Sequence, residues 1–339
     1  VSGRRKMEKK LLTKVQIENS PSRKDGISLE EETRVRRAFA FFIQQVGIGL
    51  DLPFTTLCTS CTYFHRFYSC VSLLQHDPAL VAQACLLLAA KAEENPRRVR
   101  DVINVAYALQ HSHQIVSEGY WLMKEQVIKM EQVLLRVFGY DMEFLHPHQY
   151  ALHFIRDLEG SADLASVTWC VLNDSLATTV CLQYPAYAIA CSAIHLAQEM
   201  INEQVAHGEW WEKFNTHRIE IEDVCCQLCD MYDQMQTKDL TVAVAGVAVA
   251  SLAGTGSGTA VTSLFTPGGF IQQHNLLQQP QNFQAGSSPF NLTTSASSSS
   301  TGEAKSANST LPAGSSPASS RTRSGGGKNL SLVSSLYRK

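Results

Sequence analysis

Residues 79–90 read Ala-Leu-Val-Ala-Gln-Ala-Cys-Leu-Leu-Leu-Ala-Ala, and Gln83 is the one polar side chain among them. Asp77-Pro78 immediately upstream supplies an N-cap and a first-turn proline, and Asn95-Pro96 closes the stretch. A helix that is apolar on every side must be surrounded by other helices. The pattern then recurs. Val81–Ala89 lines up with Ile189–Ala197 at an offset of 108 residues, and the second copy follows Pro185. Both copies are dense in Ala with small neighbours, so adjacent helices can approach closely. One buried central helix per copy predicts two similar all-α bundles in tandem.

The apolar periodicity is helical nearly throughout residues 27–239. Ser28 and Glu31 have the spacing of a capping box that starts a helix through about Val46. Further helices are expected at about 54–73, 98–110, 119–138 and 147–158. The stripe Tyr63, Phe64, Phe67, Tyr68 belongs on the core face of the helix at 54–73. The resulting division is a basic flexible arm over 1–26, an N-terminal helix and first bundle over 27–158, a second bundle over 159–239, and a tail over 240–339. Leu240–Gly302 holds no charged residue, and Ser, Gly and Pro dominate beyond it. Such a tail cannot offset its ordering entropy by burial and is expected to be disordered. Residues 27–239 are expected to be sufficient for function.

The chain of 339 residues has a net charge of −2, but the charge is unevenly distributed. Residues 1–26 carry net +5, residues 27–239 net −12, and residues 240–339 net +5. An acidic core repels the phosphate backbone, so direct nucleic-acid binding by the core is not expected. The cluster Arg4, Arg5, Lys6, Lys9, Lys10 reads either as a nuclear import signal or as a solvated basic arm. No apolar run reaches the roughly 18–20 residues of a membrane helix, and Val1–Lys14 lacks the apolar region of a secretory signal. Ten cysteines without a small-domain spacing read as reduced thiols. The pairs Cys58/Cys61 and Cys226/Cys229 have zinc-like spacing but fall on helical segments 164 residues apart. They are expected to be buried core thiols, so no metal or cofactor is expected. No phosphate loop, Ser-His-Asp arrangement or metalloprotease helix is evident.

Several separated motifs, in order, resemble the cyclins. Leu86–Glu94 (LLLAAKAEE) is similar to that family's central helix ending in Ala-Lys-x-Glu-Glu. Lys129-Met130-Glu131 with Val133-Leu134 is similar to a later helix of the first cyclin box, and Phe138-Gly139-Tyr140 to its exit. His146-Pro147-His148 resembles the transcription-associated branch. Within that branch the L-type cyclins fit through Pro96–Asn104, Asn173–Leu176 and Ile189–Ala197. The match covers about Ser28 to Tyr232. Only Arg321-Thr322-Arg323-Ser324 hints at the Arg-Ser tail usual in L-type members, and the first helix shows no hydrophobic substrate-docking motif.

The resemblance implies two five-helix cyclin boxes and a non-enzymatic activating subunit for a cyclin-dependent kinase catalytic subunit. Such a complex would act in the nucleus on RNA polymerase II transcription or pre-mRNA splicing, with the polymerase tail or splicing factors as substrates. A cyclin works by preferring the active kinase. About 5.5 kcal/mol of differential affinity moves a two-state kinase from 1:99 to 99:1. The residues the resemblance assigns to kinase binding are Lys91 and Glu131, with Glu94 beside them. From the residues alone, the preferred readings are Lys91 as a cation favoured at a helix C-terminus and Glu131 as a solvated helix residue; the resemblance reverses that preference. At the offset of 108, Lys91 corresponds to Glu199, so the kinase should face the first box only. Arg97, Arg98 and Arg100 are candidates for kinase selectivity or for contacting an activation-loop phosphate. Thr266, Ser288 and Ser316 each precede proline and are candidate phosphorylation sites. A TFIIB-like general transcription factor shares the repeat, but such proteins begin with a zinc ribbon, and here no Cys precedes Cys58. A cyclin scaffold that activates no kinase is the remaining alternative.

Overall fold

The computed structural model describes residues 11–111, 117–205 and 208–236. Twelve α-helices and one 3-10 helix make up the described residues, without a β-strand among them. In chain order they are α1 (Lys14–Glu18), α2 (Pro21–Lys24), α3 (Leu29–Gly49), α4 (Phe54–Cys70), α5 (Pro78–Ala92), α6 (Val99–His111), α7 (Ser117–Val137), α8 (Pro147–Asp157), α9 (Ala162–Ser175), α10 (Val180–Gln183), α11 (Ala186–Ile201) and α12 (Arg218–Gln236). The 3-10 helix, Trp210–Phe214, lies between the last two. No helix among the described residues is long and apolar enough to cross a membrane.

The central helices α5 and α11 organise the two bundles. α5 touches α3, α4, α6 and α7; α11 touches α8, α9, α10, α12 and the 3-10 helix. Leu86 and Leu87 in α5 and Ile194 and Leu196 in α11 are fully buried. Burial of each such side chain contributes about 1.5–3 kcal/mol. The aromatic stripe of α4 is core as expected, with Tyr63, Phe64, Phe67 and Tyr68 all excluded from solvent. In α3, Gly47 lets α4 come close, since a Cβ there would stand 1.9 Å from Leu57 Cδ2.

The two central helices end alike. Asn95 N–H donates to Ala90 O and Glu203 N–H to Gln198 O, at 2.8 and 3.0 Å. Each closure swings through one left-handed residue, Glu94 (φ 56°) and Asn202 (φ 55°). Both features recur at the offset of 108. The fourth helix of the first bundle, α6, is matched in order by only the short 3-10 helix in the second.

Three expectations need correction. First, the boundary at 158 falls too late, because α8 packs against α9 and α11 and so belongs to the second bundle. An apolar stripe shows that a helix is half-buried, not which neighbour buries it. Second, residues 11–26 are not a free arm. Ser20 Oγ donates to buried Glu32 of α3 at 2.6 Å, Ser22 Oγ accepts from Leu73 N–H at 3.0 Å, and Leu12 N–H donates to Leu182 O at 2.8 Å. Lys14 reaches Asp223 of α12 at 3.5 Å. The segment therefore bridges both bundles, and a fragment beginning at 27 loses that bridge. Third, only half of the Ser28 capping box forms. Ser28 Oγ accepts from Glu31 N–H, while the Glu31 carboxylate turns to Arg34 at 2.6 Å. The tail over 240–339, with Thr266, Ser288 and Ser316, lies outside the described residues, as does the basic cluster from Arg4 to Lys10.

A buried polar chain joins the bundles. Arg36 donates to Glu32 Oε1 through Nε and Nη2 at 2.9 and 2.8 Å, and through Nη1 to His65 O at 2.9 Å. His65 Nε2 lies 2.9 Å from Leu176 O at the end of α9. A carbonyl only accepts, so Nε2 carries the proton. Burial beside Arg36 pushes the His65 pKa down to about 3. The chain is thus a neutral imidazole and a compensated ion pair, as low-dielectric burial requires.

Candidate functional site: the C-terminal end of the first central helix

Lys91 stands in the last turn of α5, where the macrodipole favours a cation. Its Nζ donates to both oxygens of Glu131 on α7, at 2.6 and 2.8 Å, across 40 residues of sequence. The partners differ in exposure: the Lys91 side chain is 50% exposed and that of Glu131 only 11%. Glu131 is therefore a fixed anchor in the wall of the bundle, not a solvated residue. Lysine has three N–H donors, so the pair holds the half-exposed ammonium in place with donor capacity to spare. The face around it is partly apolar. Ile128 lies one turn before Glu131 and is exposed, and about 15 Å back from Glu131 along α7 Lys124 Nζ sits 5.0 Å over the exposed Trp121 ring. A held charged pair beside exposed aliphatic surface is the kind of site an interface can desolvate.

The residues following Lys91 fix the end of α5. Glu93 is its C-cap, and Glu93 Oε1 accepts from Thr59 Oγ1 of α4 at 2.6 Å. Thr59 Oγ1 also meets His146 Nε2 at 2.8 Å. Its single hydroxyl proton goes to the carboxylate, so the histidine is the donor there. His146 caps α8, so a three-residue relay ties the kinase-binding candidates to the start of the second bundle. Glu94, one residue on, is exposed in its left-handed turn.

The three arginines separate. Arg97 Nε and Nη2 donate to Leu50 O and Asp51 O at 3.1 and 2.7 Å. These carbonyls close the end of α3, so Arg97 is a structural cap and leaves the selectivity set. Arg98 and Arg100 are exposed, and Arg100 is loosely paired with Asp101 at 3.8 Å. Nothing brings them together with Lys91 and Glu131.

The sequence singles out Glu93 only as a charge after the helix, expected to be solvated, and passes over Thr59 and Arg66. Arg66 on α4 donates to Asp141 O at 2.7 Å and stacks 5.0 Å over Phe138, latching the exit of α7. The usable signal was a lone cation on an aromatic helix. The His146-Pro147-His148 turn also does more than start a helix. His148 is buried between Phe54 and Trp169, with ring centroids at 4.6 and 4.8 Å, and its Nε2 meets Asn173 Oδ1 at 3.2 Å. Burial lowers its pKa to about 4. Cys58 and Cys61 are buried in α4, where burial raises both thiols. Cys229 is buried in α12 and Cys226 partly so.

Two tandem helical bundles, each built around one buried helix, define a cyclin-box fold. The chain belongs to the cyclin family: the profile "Cyclin, N-terminal domain" matches residues 6–143 and "Cyclin-T2-like, C-terminal domain" matches residues 146–228. The boundary between the two profiles agrees with α8 lying in the second bundle. Among curated proteins the chain is 34% identical to Cyclin-T1-4 of Arabidopsis thaliana over 64% of this chain and 42% of that protein. It is 33% identical to human Cyclin-K over 65% of this chain and 40% of that one, and 34% identical to human Cyclin-L1 over 66% and 44%. It spans less than half the length of these relatives. The L-type resemblance thus stands level with T- and K-type ones, and the transcription and splicing branch is the level that holds. Among solved structures, a chain of the yeast RNA polymerase II CTD kinase CTDK-1 complex shares the fold. Its TM-score is 0.60 at 18% identity, over 79% of this chain and 83% of that one.

Proposed function

We propose that this chain is the regulatory subunit that binds and activates a cyclin-dependent serine/threonine kinase acting in nuclear RNA polymerase II transcription or pre-mRNA splicing. The observation that carries the reading is the Lys91–Glu131 pair at the outer end of the central helix of the first bundle, which the second bundle does not repeat. Cyclins are regulatory rather than catalytic. A protein kinase needs its helix αC in place to complete the Lys–Glu pair of its own active site, and a preorganised partner surface selects that arrangement. Lys91 and Glu131 are the anchors, and Glu94 lies at their rim. Arg98 and Arg100 are the remaining candidates for partner choice. The similarity to T-, K- and L-type cyclins supports the transcriptional branch.

The test is affinity purification of the full chain followed by a kinase assay on a repetitive polymerase-tail peptide and on an Arg-Ser-rich splicing-factor peptide. Co-purified proline-directed kinase activity that depends on the chain is the expected result. A stable kinase complex without stimulated activity would leave the scaffold alternative. Sequence-specific duplex DNA binding with no kinase would contradict the reading.

A further inference from the structure

The segment that bridges the two bundles carries a feature the cyclin reading does not use. Ser20-Pro21-Ser22-Arg23 places a proline after a serine and a cation three positions on. This is the pattern that proline-directed serine/threonine kinases accept. Ser20 is also the residue that fastens the segment, through its 2.6 Å hydrogen bond to Glu32. We propose that Ser20 is a phosphorylation site and that its modification releases residues 11–26 as a clasp across the two cyclin boxes.

The clasp is fastened by few contacts. α1 buries no residue, and in α2 only Ser22 is buried. Beyond the packing of α2 against α3 and α4, the polar attachments include Ser20 on Glu32, Leu73 N–H on Ser22, Leu12 N–H on Leu182 O and the exposed Lys14–Asp223 pair. A segment with little apolar burial opens locally at a small fraction of the global unfolding free energy. When closed, Ser20 is only 3% exposed, so a kinase reaches it in the open state. There Ser20 Oγ attacks the γ-phosphorus of ATP, the bond to the β–γ bridging oxygen breaks, ADP leaves, and the hydroxyl proton passes to the kinase's catalytic base. The product cannot close again. A phosphoserine brings nearly two negative charges and lacks the hydroxyl proton that Glu32 accepted. Arg36 already gives two donors to Glu32 and one to His65 O, so the guanidinium beside Glu32 is already committed, and the phosphate would bring its charge against the Glu32 carboxylate. Arg23, the cation three residues on, is exposed and donates to Ile27 O at 3.0 Å.

The experiment treats the full chain with ATP and a purified proline-directed kinase added from outside, so it does not depend on the chain's own kinase partner. Phosphate is mapped by mass spectrometry and residues 11–26 are followed by hydrogen exchange. Three substrates are compared: the wild type, Leu12→Pro, which removes the N–H bonded to Leu182 O, and a synthetic peptide of residues 13–28. The peptide should be phosphorylated at Ser20 readily and the wild type slowly. Leu12→Pro should be severalfold faster than wild type. The phosphorylated protein should lose exchange protection over residues 11–26 while α5 keeps its own. A peptide that is not a substrate, a Leu12→Pro chain modified no faster than wild type, or phosphorylated protein with the segment still protected would each overturn the proposal.

Discussion

α5 and α11 are nearly the same device with different ends. Both are sheathed by neighbouring helices, both close through one left-handed residue, and these features recur at one offset along the chain. They part most clearly in charge at one exposed position near their C-terminal ends. Lys91 of α5 is seized by Glu131 from α7, whereas Glu199 of α11 is exposed. The shared part is what buries a core. The differing position is what faces outward, and there the first box offers a held cation where the second offers an anion.

Three predictions sharpen that contrast. Leu86 and Ile194 occupy matching places and both are fully buried. Leu86→Ala and Ile194→Ala should each cost about 2–5 kcal/mol in urea denaturation. A near-neutral result at either would mean that its helix is not central to its bundle.

A smaller effect should come with acid. Neutral His65 is held to Leu176 O, with its pKa pushed down to about 3. Unfolded histidine titrates near 6.5, so between about pH 3 and 6.5 the unfolded chain binds more protons. Asp174, with its pKa raised by desolvation to about 7, works the other way, but the His65 contribution should make stability fall as pH drops through that window, by on the order of a few kcal/mol. His148 acts in the same direction with its pKa near 4. Melting temperatures from pH 4 to 8 check this. His65→Gln should flatten the slope, and an unchanged slope in that variant would remove His65 from the account.

The smallest effect concerns the caps. Glu94 and Asn202 share a left-handed conformation that Asn tolerates better than Glu. Glu94→Gly should stabilise the chain by roughly 0.5–1 kcal/mol, and Asn202→Gly by less. Equal gains in thermal melts would mean that the strain is not localised at Glu94.

Much of this comparison was readable in the residues. Gln83 alone among twelve positions made α5 a central helix, and the matching of Val81–Ala89 with Ile189–Ala197 implied the second bundle. The place of α8 was not readable, because Phe154 and Ile155 show a buried face without naming the neighbour. The clasp was hidden for another reason. Residues 11–26 have no apolar stripe and are held by one hydroxyl on the Glu32 carboxylate, another on the Leu73 N–H and a backbone bond to Leu182, contacts that leave no periodic trace. Lys91 and Glu131 were singled out only through the resemblance to cyclins. Their bond to each other joins positions 40 residues apart, beyond what helical spacing can show. Arg97 looked like surface charge because the carbonyls it caps lie 46 and 47 residues upstream.

The central claim is that the kinase is bound at the Lys91 end of the first box and not at the Glu199 end of the second. The direct test is a quantitative pull-down of the partner kinase by full-length wild type, Lys91→Ala, Glu131→Ala and Glu199→Ala, with circular dichroism on each. Lys91 is half exposed but Glu131 is only 11% exposed, so Lys91→Ala leaves a largely buried carboxylate without its cation and should cost the fold about 1–3 kcal/mol, which circular dichroism and melting separate from the loss of binding. Kinase binding should weaken by about 2–5 kcal/mol in both first-box variants and stay at the wild-type level in Glu199→Ala. Wild-type binding by Lys91→Ala and Glu131→Ala, or a loss confined to Glu199→Ala, would contradict the account.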